Sequence, residues 1–423
     1  MKYFHSQIIL QDRCNGDMKC VRACPTQALR YRNNKVIFYD DLCVDCGECI
    51  NVCKEKAIVP VMDEISDFNK FKFNIAIPSR VLYTQFSSGI SPMMVQKALS
   101  KTGFDVVIDV SQELHEMGYA FAEYLKSDPV SKPIISSNCP SVIRLIQVKY
   151  PNLMRFISPF DVAREIVAKN AKVKFAEETG LEIKDIGVTY ISPCPAKVVS
   201  IKQPAEKEKS WIDNAIAIND IYKILLQEIL TMQDKENINK KHDNFFFSKG
   251  WGVLAYLQNG VDSTRSMSVK GIANLKMILN DIEDSRLEDI DFIEASTCSQ
   301  GCIGGAFCVE NPYIAWHNSK ILERRYADPF DFDGEAVLKK YEENQFFYEN
   351  RLKPRTTRAL SDDLQTSLKR MKQKERIFSK LPGIDCGLCG APTCETFADD
   401  YARGEADISD CYLLRRTTDS PPA

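Results

Sequence analysis

The sequence lacks any apolar run that approaches the length of a membrane-spanning helix. It also lacks a surplus of charge of one sign, because its formal net charge is −3. Its first residues, MKYFHSQIILQDRC, have neither the apolar core nor the cleavage site of a signal peptide. We therefore expect a cytoplasmic protein that has no membrane span and no nucleic-acid partner.

Length and composition predict a globular protein of several domains. A chain of 423 residues is too long for one compact core, so we expect about two to four domains. Hydrophobic residues make up 44% of the chain and charged residues 27%, which excludes a disordered or fibrous protein.

Cysteine is abundant, with sixteen residues in the chain. A secreted disulfide scaffold is one explanation, but the length, the missing signal peptide and the cysteine spacing all argue against it. In a reducing compartment, closely spaced cysteines indicate metal ligands instead. Fifteen of the sixteen fall into four sets of the kind that bind iron–sulfur clusters.

The chain divides into four segments of different character. Residues 1–69 hold seven cysteines in two short half-repeats, each a cysteine motif followed by a small strand, which indicates an internal duplication. Residues 70–331 alternate strands with amphipathic helices. Residues 332–379 are charged and helix-prone, and we interpret them as a helical linker or brace. Residues 380–423 form a small module with four more cysteines.

The alternation in residues 70–331 predicts an α/β domain with largely parallel sheets. The predicted strands are KFNIAIP, FDVVIDVS, KPIISSN, DIGVTYISP and DFIEAST. The helical patterns between them include VQKALSK, GYAFAEYLKSD, SVIRLIQVKY and NDIYKILLQEIL. In the charged segment, GEAVLKKYEENQFFYENRLK and DDLQTSLKRMKQKERIF are also predicted to be helical.

The two N-terminal half-repeats resemble bacterial two-cluster ferredoxins. In the second half-repeat three closely spaced thiolates suit three irons of one cubane, and a fourth cysteine reaches the other cluster. The resemblance implies an α+β domain with two clusters. One cluster would be bound by Cys24, Cys43, Cys46 and Cys49, and the other by Cys14, Cys20, Cys53 and Asp17.

Asp17 stands where the first half-repeat should have its second cysteine. A carboxylate is a harder ligand than a thiolate and should hold iron less firmly. An Asp-ligated [4Fe–4S] cluster, a [3Fe–4S] cluster and a labile site are all compatible with this change. Alternatively, Asp17 only shapes the turn in NGD.

Four cysteines of the α/β region lie in three widely separated sequence segments, and each segment begins with a predicted strand. Carboxyl ends of parallel strands gather at one edge of a sheet, so the four thiolates can meet in one cleft. There they would complete a buried [4Fe–4S] site. These residues are Cys139, Cys194, Cys298 and Cys302.

The segments SSNCP, SPCPAK and STCSQGCIGGA, in this order, resemble the three signature loops of [FeFe]-hydrogenases. The resemblance spans about residues 71–330 and implies a two-lobed α/β domain. That family's H-cluster joins a [4Fe–4S] cubane to a diiron group with CO, CN and azadithiolate ligands. By this resemblance the four cysteines hold the cubane, and Cys302 also bridges to the diiron group.

The resemblance also implies residues that contact the diiron group. Lys197 would donate to one cyanide, since a buried ammonium suits a negative ligand. Pro78 and Ser79, in AIPSRV, resemble the segment that contacts the other cyanide. Gly304 and Gly305 would leave space beside the metal. A solvated surface lysine is the alternative for Lys197.

The chain departs from the family pattern at several positions. Asn138 replaces the cysteine that carries protons, and an amide does not titrate. Ser192 replaces a methionine and Ser200 a glutamate, and of the proton-route glutamates only Glu123 can be aligned. These departures resemble the sensory [FeFe]-hydrogenases, which are slow and report H2. Leftover Cys308 is interpreted as a core thiol, a redox-sensitive thiol or a substitute proton carrier.

The C-terminal module has the spacing Cys386-x2-Cys389-x4-Cys394-x16-Cys411. Zinc is the rival metal for any set of four cysteines. The spacing resembles the Fe–S module of corrinoid and Rnf-type electron-transfer proteins, which implies a small helical module with a [4Fe–4S] cluster. Its place after an H-cluster domain matches one sensory subgroup of hydrogenases.

Three functions fit these observations. The first is a ferredoxin-type [FeFe]-hydrogenase of low turnover that senses H2, exchanges protons and passes electrons to a redox or signalling partner. The second is a relative without a diiron group that serves iron–sulfur assembly, like the eukaryotic hydrogenase-like proteins. The third is an electron-transfer subunit of a larger oxidoreductase.

Overall fold

A computed structural model describes residues 3–127, 131–233, 263–326, 333–355 and 358–418. The chain forms two compact units, Met1–Val61 with Arg355–Ala423, and Met62–Pro354. The predicted boundary at residues 331 and 332 lies outside the described residues, and the division into four segments stays a prediction. In the described ranges, no helix is both long and apolar enough to cross a membrane.

The N-terminal part of the first unit contains two small antiparallel sheets and two short helices. Strand β1 (Gln7–Ile9) pairs with β4 (Ile58–Pro60), and β2 (Leu29–Arg32) pairs with β3 (Lys35–Phe38). Helices α1 (Lys19–Ala23) and α2 (Glu48–Val52) carry Cys20 and Cys49. The helices pack together, and the core beside them is formed by Val21, Leu29, Val36 and Ile58.

The second unit contains two parallel sheets. Its strands are β5 (Phe73–Pro78), β6 (Val106–Val107), β7 (Ile134–Ile135), β8 (Ile186–Ser192), β9 (Asn214–Ala217), β10 (Ser266–Lys270) and β11 (Phe292–Ser296). One sheet has the order β6-β5-β8-β9 and the other β10-β11-β7. Every pairing within them is parallel, which confirms the predicted α/β class.

The central strand β8 explains why this unit could be predicted. All seven of its residues, IGVTYIS, are buried, as expected for a parallel strand covered on both faces. The five predicted strands are all present, although β6 and β7 are only two residues long. Strands β9 and β10 were not predicted. Neither carries the long apolar run that marks β8.

Helices separate most of these strands. They are α3 (Pro92–Lys101), α4 (Ser111–Lys126), α5 (Pro140–Lys149), α6 (Ala163–Thr179), α7 (Pro195–Lys202), α8 (Ile218–Gln233), α9 (Ile272–Glu283), α10 (Pro312–Tyr326) and α11 (Gly334–Glu342). Ser91 caps α3, because its side chain accepts a hydrogen bond from the backbone of Met94.

The predicted helix over GEAVLKKYEENQFFYENRLK is correct only as far as α11. Residues 343–354 are irregular, and tertiary packing explains the break. Phe346 is fully buried, and its carbonyl accepts a hydrogen bond from the backbone of Asp161. The ring of Phe347 packs 4.8 Å from that of Phe160. Burial of these aromatic rings outweighs helix propensity here.

The C-terminal part of the first unit contains α12 (Leu364–Phe378), α13 (Cys394–Ala402) and α14 (Tyr412–Thr418). This part docks on strand β2, where the backbone N–H of Tyr31 donates to the carbonyl of Gly390 at 2.9 Å. Gly390 has a φ of +80°, and a Cβ there would lie 1.7 Å from the Tyr31 carbonyl oxygen. Only glycine permits this approach.

A buried ion triad reinforces the docking. Asp400 of α13 is fully buried and accepts two hydrogen bonds from Arg30, at 2.6 and 3.1 Å. Arg32 donates a third at 2.6 Å. Bidentate pairing of this kind is the strong form of an arginine–carboxylate contact. The C-terminal cysteine module and the N-terminal domain therefore belong to one unit.

Candidate metal centre

Two of the central cysteines stand at helix starts. Cys139 is the N-cap of α5 and Cys194 the N-cap of α7, and each is followed by proline at the first helical position. Proline there forfeits no hydrogen bond, because that N–H has no partner within the helix. The partial positive charge of a helix start favours a thiolate or another anion. The Cys-Pro dipeptides therefore position the sulfurs and stabilise negative charge on them.

A cavity of about 140 Å³ lies where the carboxyl ends of the two parallel sheets approach each other. Ser79 follows β5, Asn138 follows β7, and Glu294 belongs to β11. Such strand ends are the expected place for a ligand site in an α/β fold. The cavity is also lined by Arg80, Cys139, Arg164, Tyr190, Lys197 and Cys302.

The structure brings three of the four central cysteines together. Burial raises the pKa of Cys194, Lys197 lowers it, and the sulfurs of Cys302 and Cys139 raise it again. These sulfurs are thus close enough to interact electrostatically.

Cys298 lies in the same loop as Cys302, with its carbonyl accepting from the backbone of Gly301. Its neighbour Thr297 lies 3.9 Å, oxygen to sulfur, from Cys139. Cys298 is thus one residue from a side chain that meets another predicted ligand.

Lys197 is buried rather than solvated. Its side-chain nitrogen lies 3.4 Å from the sulfur of Cys302. Burial lowers the pKa of Lys197, but the thiolates of Cys302 and Cys194 outweigh burial and leave the pKa above its ordinary value. The cavity therefore contains a buried lysine nitrogen beside a cysteine sulfur.

The segment after β5 reaches the cavity at Ser79. The backbone N–H of Ser79 donates to the carbonyl of Ile191, and the Ser79 hydroxyl forms a hydrogen bond with Tyr190. Pro78, the last residue of β5, is buried but does not line the cavity. Asn138 lines it directly, in the place where the family resemblance expects a proton-carrying cysteine.

Gly305 is needed for loop packing. A Cβ there would lie 2.2 Å from the carbonyl oxygen of Pro193, which belongs to the loop before Cys194. The glycine thus lets two cysteine-bearing loops approach each other, which is a different reason from space beside a metal. Ser192, the last residue of β8, donates its hydroxyl to the carbonyl of Cys194 at 2.9 Å.

Glu123, the aligned proton-route residue, does not line the cavity. Its side chain is 41% exposed and pairs with Lys126 at 2.9 Å. The buried carboxyl groups of this helix are instead Glu113 and Glu116. Glu116 pairs with Lys340 at 2.5 Å. Sequence reasoning missed both, because their spacing matches no motif.

Glu113 should make stability depend on pH. Burial and, to a lesser extent, the nearby Glu116 raise the pKa of Glu113 from 4.5 to about 7. Lys340 acts in the opposite direction. The native state therefore keeps a proton that the unfolded chain releases, so this stabilisation is complete below pH 4.5 and is lost as pH rises through about 7. We expect Glu113→Gln to stabilise the full chain by up to ~3 kcal/mol at pH 8 and by little at pH 5.

Thermal unfolding of both proteins at the two pH values measures this effect. Glu123→Gln is the matched control on the same helix, since its carboxylate is half-exposed and paired. An equal difference between wild type and Glu113→Gln at both pH values would contradict the prediction.

Cys308 packs against the core of the second unit. Burial, then the sulfurs of Cys194 and Cys302, raise its pKa to about 12. A thiol with this pKa is a poor proton carrier at neutral pH. The environment favours the core thiol among the three interpretations.

The N-terminal cysteines form two groups that cross over between the half-repeats. Cys14, Asp17, Cys20 and Cys53 line one small cavity. In the second group, burial and then the sulfur of Cys24 raise the pKa of Cys46 to about 12. Cys43 and Cys49 also interact with Cys24. Iron binding would have to displace protons from such thiols.

Asp17 lies at the rim of its cavity rather than deep inside it. Its carboxylate pairs with Lys19 at 2.6 Å, and this hydrogen bond lowers its pKa. A direct bond to iron would therefore compete with an existing ion pair. The three cluster forms and the turn-shaping role all stay predictions.

Several buried polar residues surround Cys43. The side chain of Gln7 donates to its sulfur at 3.3 Å, and the backbone of Asp45 donates at 3.4 Å. Asp45 is fully buried and lies 3.0 Å from Nδ1 of His5. Hydrogen bonds to cluster sulfurs tune reduction potentials. No spacing in the sequence points to His5, since strands β1, β2 and β3 and helix α1 lie between it and Cys43.

The C-terminal cysteines also gather. Burial raises the pKa of Cys389, and the sulfurs of Cys411 and Cys386 add to the effect. Cys394 is the first residue of α13, and its backbone N–H donates to Asp385 at 2.7 Å. All sixteen cysteines of the chain, including these four, are free of disulfides.

Parallel sheets, a cysteine-lined cavity and three further cysteine groups define an iron–sulfur protein with a hydrogenase-like domain. The model of the family "Iron only hydrogenase large subunit, C-terminal domain" matches residues 75–262 and 226–306. This is more than half of the chain, and the chain belongs to that family. A 4Fe-4S dicluster domain matches residues 6–54, and an Fe-S cluster family matches residues 381–412.

Curated relatives agree with this assignment. The "NADP-reducing hydrogenase subunit HndD" of Solidesulfovibrio fructosivorans is 21% identical over 373 residues, covering 73% of this chain and 62% of the relative. "Iron hydrogenase 1" of Clostridium pasteurianum is 21% identical over 305 residues, covering 65% and 51%. The chain thus spans only about half to three-fifths of these relatives' length.

A solved structure shows the same fold. A variant of [FeFe]-hydrogenase HydA1 from Chlamydomonas reinhardtii superposes with a TM-score of 0.52 at 15% identity. The match covers 69% of this chain and 98% of that chain. The fold is therefore that of a hydrogenase domain, carried here together with two iron–sulfur modules.

Proposed function

We propose that this chain is an [FeFe]-hydrogenase of low turnover that binds H2, oxidises it or reduces protons slowly, and reports H2 to a partner. The observation that carries the proposal is Lys197, whose buried ammonium lies 3.4 Å from the Cys302 sulfur at the edge of a cavity. A cation in this place suits an anionic metal group bound next to a cysteine.

The residues present fit such a group. A cavity of about 140 Å³ is comparable to one of ~150 Å³ that holds a benzene-sized molecule. The lining combines a cysteine sulfur, a buried ammonium, and the buried Ser79. This donor set matches what a small metal group with anionic ligands requires.

We assign the residues that would hold the cofactor as follows. Lys197 would donate to one cyanide, and the segment of Pro78 and Ser79 would contact the other. When bound, the diiron group supplies the site at which H2 is converted into protons and electrons. The cubane would be held by Cys139, Cys194, Cys298 and Cys302.

Asn138 supports a sensory rather than a metabolic role. It lines the cavity, and its amide neither accepts nor releases a proton at physiological pH. Glu123 is half-exposed and is not a relay to the cavity. Slow proton transfer lowers turnover but leaves H2 binding intact.

Electrons would leave through further clusters in the first unit. We propose two N-terminal clusters, one of them [4Fe–4S] and the other Asp17-ligated or [3Fe–4S], and one C-terminal [4Fe–4S] cluster. Arg22, between Cys20 and Cys24, donates to the carbonyl of Cys386 at 3.1 Å, so the N- and C-terminal ligand loops touch. A redox or signalling protein in the cytoplasm would accept the electrons.

One experiment tests the function. The reconstituted protein is incubated with a synthetic diiron azadithiolate precursor, and infrared spectra are recorded under H2 and under inert gas. We expect CN and CO bands that change under H2. Absent bands would reject the diiron group and favour the assembly or electron-transfer roles, with which Asn138 is also compatible. Bands that ignore H2 would reject sensing.

Asn138→Cys should raise the rate of H2 evolution. A thiol with a pKa near ~8.5 can relay a proton where an amide cannot, and general acid–base catalysis contributes ~10²-fold or more. H2 evolution with a chemical reductant measures the rate, and Asn138→Ser is the control that adds no thiol. An unchanged rate would show that the missing thiol does not limit turnover.

A further inference from the structure

The cavity lining contains two buried cations besides Lys197, namely Arg80 and Arg164, and neither the motifs nor the comparisons assign a role to Arg164. Arg164, the second residue of α6, is 5% exposed and lines the cavity together with Lys197. It is not near Lys197 in sequence, so no motif spacing relates the two. Their convergence arises only from the fold.

The contacts of Arg164 leave its charge without a counter-ion. One terminal nitrogen donates to the hydroxyl oxygen of Ser200 at 2.8 Å, and the guanidinium lies 5.7 Å from the ring centre of Tyr190. Its Nε is buried and has no hydrogen-bond partner. Within the described parts of the chain, no carboxylate forms an ion pair with Arg164. Arg30, by contrast, is neutralised by Asp400.

Ser200 fixes the direction of the guanidinium. Its hydroxyl donates to the carbonyl of Lys197 at 2.8 Å, so its lone pairs remain for Arg164. Ser200 therefore connects Arg164 to Lys197 through one helical turn. It is a positioning residue for Arg164 and occupies the place where the family resemblance expects a glutamate.

Lys197 and Arg164 differ in whether neighbouring groups balance their positive charge. The sulfurs of Cys302 and Cys194 lie beside Lys197 and favour its charged form. The nearby guanidinium of Arg164 disfavours the charged form of Lys197. A buried charge without a partner is strongly unfavourable unless an opposite charge is bound. The cavity next to Arg164 is the place where such an anion fits.

We propose that Arg164 binds a small anion of the cyanide class in this cavity. In the loaded protein the anion would be a cyanide ligand of the diiron group, and that part rests on the proposed function. In protein without the diiron group, the same guanidinium would bind a free anion such as thiocyanate.

The first test uses cluster-reconstituted protein without the diiron group. Calorimetric titration with thiocyanate compares wild type with Arg164→Gln and Arg164→Lys. A hydrogen bond to a charged group contributes ~1.5–3 kcal/mol, so Arg164→Gln should bind roughly 10- to 150-fold more weakly. Arg164→Lys should restore part of the affinity, and Ser200→Ala should weaken binding less than Arg164→Gln.

Arg155→Gln is the matched control, because Arg155 is exposed and does not line the cavity. It should bind thiocyanate like wild type. Wild type that binds no better than Arg164→Gln would overturn the proposal.

The second test identifies the source of the anion. Infrared spectra of diiron-loaded wild type and Arg164→Gln should differ in a CN band, because a charged hydrogen bond is lost. Unshifted CN bands together with weakened thiocyanate binding would assign the site to a free anion. If wild type shows no CN bands, the proposed function fails, and the titration still decides the role of Arg164.

Discussion

Asp400→Asn should destabilise the contact between the N-terminal and C-terminal parts of the first unit. The substitution keeps the shape of the side chain but removes the charge that neutralises Arg30, which is 2% exposed. Removing one partner of a buried ion pair is destabilising by ~3–5 kcal/mol, because the other charge stays buried. This is far more than a surface ion pair contributes, which is ~0–1 kcal/mol.

The effect should appear on both sides of the contact. Hydrogen exchange of the full chain, followed by mass spectrometry, reports local opening without assuming a two-state transition. We expect peptides that cover Leu29–Arg32 and Cys394–Ala402 to exchange roughly 150- to 4,000-fold faster in Asp400→Asn. Peptides of the second unit should be unchanged.

Two further variants separate charge burial from simple loss of a contact. Asp399→Asn, one residue earlier on α13, removes a partly exposed pair with Arg403 and should change exchange little. Combining Arg30→Met with Asp400→Leu removes the two most deeply buried charges of the triad, leaves only the less buried Arg32, and should recover most of the protection. If the double variant exchanges as fast as Asp400→Asn, the triad does not act through buried charge.

The docking that this triad stabilises was outside the reach of sequence reasoning. Arg30 and Asp400 are 370 positions apart, and neither belongs to a cysteine motif. The Gly390 requirement is equally hidden, since glycine in a cysteine loop is also explained by turn geometry. Motif spacing predicts the local loop around each cysteine group but carries no information about which surfaces meet.

The central site was more predictable, because its geometry follows from the chain itself. Cys139 and Cys194 each follow a strand and begin a helix, and parallel strands bring such ends to one edge. Arg164 was not predicted because it lies at the start of helix α6, which carries none of the cysteine motifs. The predicted helix beyond Glu342 failed because buried aromatic rings, not propensity, decide that segment.

Lys197→Met should abolish retention of the diiron group while leaving the fold intact. The methionine side chain fills a similar volume, and Lys197 forms no ion pair with a carboxylate in the described parts of the chain, so the substitution leaves no buried carboxylate unpaired. The ammonium that lies 3.4 Å from Cys302 is lost, and with it the charged hydrogen bond to a cyanide that we propose. At ~3–5 kcal/mol for a buried charged contact, binding should weaken by roughly 150- to 4,000-fold.

Three measurements on one preparation decide the role of Lys197. After incubation with the diiron precursor, CN and CO bands should fall to a small fraction of those in wild type. The iron content before incubation and the melting temperature should match wild type, since the cubane needs only the cysteines. Lys202→Met is the control, because Lys202 is on the same helix but pairs with Asp63 away from the cavity. Full CN and CO bands in Lys197→Met would reject the ligand role, and lost iron would show that the lysine stabilises the cysteine site itself.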